Sequence, residues 1–82
     1  MADIVFTTHA RATLNERRIL EDWVWLTIQS PDRQERGQDD NAHYLKAIAE
    51  FDGRILRVVV NDRVDPNRIV TVFFDRRLRR RA

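Results

Sequence analysis

The dipeptide Asp52-Gly53 stands between two runs of strand-like character, and no other feature restricts the folding of this chain as tightly. Upstream, Leu45, Ala47, Ala49 and Phe51 alternate with other residues; downstream, Arg54–Val60 is rich in β-branched side chains. Asp-Gly accepts the left-handed backbone of a tight hairpin, so a strand is expected on each side of it. Helix propensity argues the other way over 43–51, where Ala, Leu, Lys and Glu abound. The alternation and the turn decide for strand. After a turn-rich connection, Asn61–Asn67 with Asp65-Pro66, the β-branched and aromatic run Ile69–Phe74 is the clearest strand of all.

The first half reads differently. Ile4-Val5-Phe6 has the length of a short edge strand. Thr8 is the expected N-cap of a helix over His9–Arg18, in which Ala10 and Leu14 share a face. Ile19–Gln29 suits a helix through Ile19, Trp23 and Leu26, and a strand through Val24, Leu26 and Ile28. Glu21 and Asp22, favourable near a helix N-terminus, and the stop at Ser30-Pro31 select the helix. Pro31–Ala42 is polar, contains Gly37 and reads as a loop. The expected architecture is α+β, with two N-terminal helices packed on an antiparallel sheet of three or four strands. Residues 1–75 make the single domain and 76–82 a basic C-terminal tail.

At 82 residues the chain makes one domain at most. It buries about 60–65% of its unfolded surface. It has no cysteine, hence no disulfide framework and no thiolate metal site. The N-terminus lacks the basic and apolar segments of a secretion signal, and no run reaches membrane-spanning length. A cytoplasmic protein with no membrane partner is the expectation.

The net charge of +2 conceals an asymmetry. Residues 1–53 carry six basic and ten acidic side chains, net −4, and residues 54–82 carry nine basic and three acidic, net +6. Fourteen of the fifteen cations are arginine. Arginine suits bidentate contacts to phosphate, although a GC-rich coding bias explains its excess over lysine equally well. Such bias does not explain the clustering at one end.

The run His9-Ala10-Arg11-Ala12-Thr13-Leu14-Asn15-Glu16-Arg17-Arg18-Ile19 resembles the opening signature of a bacterial family of unknown function, in which a His-Ala pair is followed by arginine and then Glu-Arg-Gly-Ile. His9-Ala10, Glu16-Arg17 and Ile19 match; Thr13 replaces a frequent arginine and Arg18 a frequent glycine. Ile69–Arg77 is similar to the closing strand of that family. The family is grouped with the barnase–EndoU–colicin–RelE fold, so the resemblance implies a RelE-like domain and a metal-independent endoribonuclease toxin. It further implies RNA as substrate, with the ribosome as one setting, and an antitoxin protein as partner.

Residue chemistry adds candidates. Metal-free RNA cleavage needs a base for the 2′-OH and an acid for the leaving 5′-oxygen, and His9 is suited to proton transfer near neutrality. The alternative is a histidine that only packs at its helix start. Lys46 and Arg57, on adjacent expected strands, come near one another if Asp52-Gly53 sets the register, and two cations on one face would hold a scissile phosphate. A solvated face, or a pair between Arg57 and a carboxylate such as Glu50, is the plainer account. Thr71 offers a hydroxyl to phosphate, or is simply a good strand former. Arg17, Arg76, Arg77, Arg79, Arg80 and Arg81 make up the expected nucleic-acid-binding set, with a merely solubilising tail as the alternative. The two histidines are far apart, no ligand follows either at helical spacing, and no glycine-rich phosphate loop exists, so no metal or cofactor is expected. A ribonuclease toxin, a non-catalytic nucleic-acid-binding module and a protein-interaction domain all remain compatible with these residues.

Overall fold

The computed structural model describes residues 3–79. Its elements are β1 (Ile4–Phe6), α1 (Thr8–Arg17), α2 (Glu21–Gln29), β2 (Arg33–Arg36), β3 (Ala42–Ile48), β4 (Arg54–Asn61) and β5 (Asn67–Arg79), with one 3-10 turn at Ala49–Phe51. The strands form one sheet in the order β1-β5-β4-β3-β2. No helix among the described residues is long and apolar enough to cross a membrane.

Both helices form where expected, for identifiable local reasons. Thr7, not Thr8, caps α1: its hydroxyl accepts from the Ala10 amide at 3.1 Å. Arg18 ends the helix in the left-handed region, at φ 54, with its N–H bonded to the Leu14 carbonyl. That is the position where the resembled family often carries glycine. Glu21 and Asp22 occupy the first turn of α2, and Glu21 also pairs with Arg11, tying the helices together.

The sheet corrects the expectation of three or four antiparallel strands. It has five and is mixed, because β1 runs parallel to β5 while the β2-β3-β4-β5 pairs are antiparallel. The uncounted strand is β2, inside the segment read as a loop. Arg33-Gln34-Glu35-Arg36 has no apolar alternation, yet it pairs with Tyr44, Leu45, His43 and Ala42. As an edge strand it needs only backbone bonds and neutralised charges, and charged edges discourage pairing with other chains. Ion pairs Arg36–Asp62 and Arg57–Glu35 bind its side chains to the rest of the molecule.

A second correction concerns 43–51. The strand stops at Ile48, and 49–51 coil into the 3-10 turn before Asp52 and Gly53, both at positive φ. The loop is therefore longer than a two-residue hairpin, and Ile48 faces Arg54. This odd-numbered slip exchanges the two faces of β3 relative to β4. Arg57 lies opposite Leu45 and Lys46 opposite Leu56, so the two cations occupy opposite faces rather than one.

Ala10, Leu14, Ile19 and Val24 of the helical layer pack on Ile48, Leu56, Val58, Val60, Ile69 and Val72. Each of the Leu, Ile and Val side chains contributes about 1.5–3 kcal/mol on full burial. The opposite face of β3–β5 carries Leu45, Val59, Arg57 and Asp75, all buried. The last strand runs on through Arg79, so Arg76 and Arg77 belong to the sheet rather than to a tail.

Candidate active site

β1 pairs with only Asn67–Ile69, so the outer edge of β5 beyond that point has α1 beside it instead of a strand. A cleft of about 370 Å³ opens there. His9, Glu16 and Arg17 line it from α1, and Thr71 and Arg76 from β5. Helical spacing places His9, Thr13 and Glu16 along one side of α1. Thr13 turns its hydroxyl back to the His9 carbonyl at 3.0 Å and leaves the cleft without a cation at that level. Besides Thr13, Val72, Phe73 and Phe74, the cleft lining carries one imidazole, one carboxylate, two guanidiniums and the Thr71 hydroxyl. That is a set for proton transfer and for holding an anion.

Four expected site residues from distant parts of the sequence, His9, Arg17, Thr71 and Arg76, thus meet in one place. Lys46 and Arg57 do not line it. Lys46 donates to the Ser30 carbonyl at 2.8 Å and lies 3.5 Å from Asp32, closing the C-terminal end of α2, where a cation is favourable. Arg57 is 8% exposed and has three side-chain partners. Its Nε donates to Asp75 at 3.0 Å and its Nη1 to Glu35 at 3.2 Å and to His43 Nδ1 at 2.9 Å. Glu50, the carboxylate anticipated for it, accepts instead from the Trp23 indole. Arg77 binds Asp75 through backbone and side chain. Arg79 ends β5 opposite Arg54, and Arg80 and Arg81 lie outside the described residues.

The charges around Arg57 form a continuous network. Asp39 accepts from His43 on the far side of the ring, at 3.0 Å. The Asn41 backbone N–H, then His43, hold the Asp39 carboxyl down at about 2. Burial pushes Asp75 up, but the Arg77 side chain and amide, with Arg57, outweigh it and leave the carboxyl below its ordinary value. Arg33, then Arg57, lower Glu35. Gly37 admits the His43 ring, because a Cβ at that position would collide with it. Sequence reasoning missed His43, Glu35 and Asp75 as partners of Arg57, and Asp39 as the partner of His43. One usable signal existed: Arg57 and Asp75 each interrupt or end an apolar strand run, as buried opposite charges do when paired.

A two-layer α+β domain with a cleft between its first helix and its last strand, lined by a histidine, a glutamate and two arginines, defines the class of this protein. It belongs to the family described as Domain of unknown function (DUF4258), whose model matches residues 6–74. No curated protein and no solved structure matches the chain.

Proposed function

We propose that this protein is a metal-independent endoribonuclease related to the RelE-type toxins, acting on RNA in the cleft between α1 and β5. The observation that carries this reading is the convergence of His9, Glu16, Arg17, Thr71 and Arg76 on one cavity from opposite ends of the chain. In the proposed reaction one of the pair His9 and Glu16 removes the 2′-OH proton. The 2′-oxygen attacks phosphorus, the bond to the 5′-oxygen breaks, and the other member protonates that leaving oxygen, giving a 2′,3′-cyclic phosphate and a free 5′-OH. Arg17 and Arg76 offset charge on the phosphoryl oxygens, and Thr71 donates to one of them. Arg57, committed to three partners inside the sheet, positions β5 without touching RNA. An antitoxin protein that occludes the cleft is the partner such a toxin requires.

The test is cleavage of a model RNA with chelator present. His9→Ala is expected to lower the rate about 10²–10⁴-fold, the usual loss for a general acid or base, while RNA affinity changes little. A wild-type protein that binds RNA but never cuts it is a binding module, and the catalytic reading then fails.

A further inference from the structure

Strand β5 is irregular where it passes Arg54. Leu56 pairs with Phe74 but Arg54 pairs with Arg79, so Ile55 alone spans the stretch opposite residues 75–78. The excess chain forms a bulge, a feature common beside functional sites. Asp75 anchors the bulge: one carboxylate oxygen accepts from the Arg77 amide at 3.0 Å and the other from Arg57 at 3.0 Å. Beside it lies a second cavity, about 540 Å³, lined by Asp52, Gly53, Arg54, Phe74, Asp75, Arg76 and Leu78, with Asp75 already held by Arg57 and Arg77. Phe74 and Arg76 also line the His9 cleft, so the two spaces share a wall.

The composition of this cavity differs from that of the first. Phe74 belongs to an aromatic group with Phe51, at 4.8 Å between centroids, and Trp23, at 6.1 Å. Phe51 is 40% exposed, and the Arg54 guanidinium lies 5.0 Å above its ring. The Phe74 ring beside Leu78, the Arg54 guanidinium able to stack, and one arginine shared with the His9 cleft match a nucleotide: base between Phe74 and Arg54, phosphate at Arg76.

We propose that this cavity is a nucleobase subsite, receiving the base of a nucleotide next to the phosphate held in the His9 cleft. The protein therefore acts on single-stranded RNA, since a base paired inside a helix cannot enter. The inference rests on the nuclease reading for the placement of the phosphate. Its test does not require cleavage.

A short 2′-O-methyl oligouridylate, which lacks the attacking hydroxyl, is titrated while indole fluorescence is followed. Trp23 reports on the subsite, being 5.8 Å from Phe51 and 6.1 Å from Phe74. The single strand should quench Trp23 and bind roughly tenfold more tightly than a duplex of equal length or an abasic strand of equal charge. Arg54→Ala and Phe51→Leu should each remove most of that advantage while duplex affinity stays unchanged and each variant still unfolds cooperatively. Equal binding of the oligouridylate and the abasic strand, or an Arg54→Ala protein that still prefers the single strand by the full margin, overturns the subsite. Cleavage without base-dependent binding leaves the nuclease reading standing alone; base-dependent binding without cleavage leaves only the subsite.

Discussion

The guanidinium of Arg57 lies 2.9 Å from Nδ1 of His43, and Nε2 of the same ring lies 3.0 Å from the Asp39 carboxylate. A cation and a histidine, fourteen residues apart on neighbouring strands, thereby join β2, β3, β4 and β5 through one network centred on the buried Arg57–Asp75 pair. Arg57→Ala leaves Asp75, 4% exposed, with Arg77 as its remaining cationic partner. We expect it to cost about 3 kcal/mol, at the lower end for breaking a buried pair, read as a lowered urea midpoint. A variant within about 0.5 kcal/mol of wild type would show that the network contributes nothing to stability.

Stability should decline in acid. Asp75 and Asp39 both titrate below their ordinary values in the folded chain, Asp39 at about 2. The unfolded chain therefore binds more protons than the folded one through this range. The contribution of each carboxyl is complete above its unfolded value, about 4, and is lost as pH falls through the folded value. Urea unfolding at about pH 5 and about pH 3 measures this, and Asp75→Asn should flatten the difference. Greater stability at the lower pH contradicts the assignment.

Arg18 pays a conformational cost at φ 54 that glycine would not. Its side chain has no recorded ion pair among the described residues. Arg18→Gly is therefore expected to raise stability by about 1 kcal/mol, a gain visible in thermal denaturation. A lower melting temperature would mean that the arginine makes a compensating contact.

RNA binding, where it occurs, should weaken steeply with salt. Neutralising two or three phosphates through Arg17, Arg76 and their neighbours implies roughly a tenfold loss between about 50 and 200 mM salt. Affinity that stays level across that range removes the electrostatic argument. Removing Arg79–Arg81 should weaken all sequences alike, because phosphate contacts carry no base information.

Local chemistry was readable from the chain. Helices over α1 and α2, strands at β3, β4 and β5, and the α+β class follow from caps, periodicity and β-branched runs, which act within a few residues. His9, Arg17, Thr71 and Arg76 could likewise be singled out by residue type. Their meeting in one cleft could not, because it depends on α1 lying along an edge of β5 that β1 leaves free. The strand Arg33–Arg36 was invisible for a related reason: an edge strand is held by backbone bonds to β3, and those leave no mark on its own hydropathy. The fate of Arg57 and Lys46 turned on a single 3-10 turn at Ala49–Phe51. That turn changes the register by an odd number of residues and sends the two cations to opposite faces, one into a buried charge network and the other to the end of a helix. The sequence by itself determined the two helices, the strands with apolar or β-branched runs, and where charge accumulates. Only the tertiary structure decided which charges neutralise one another and which face a cavity, since pairing across a sheet is set by register and register by the geometry of its turns.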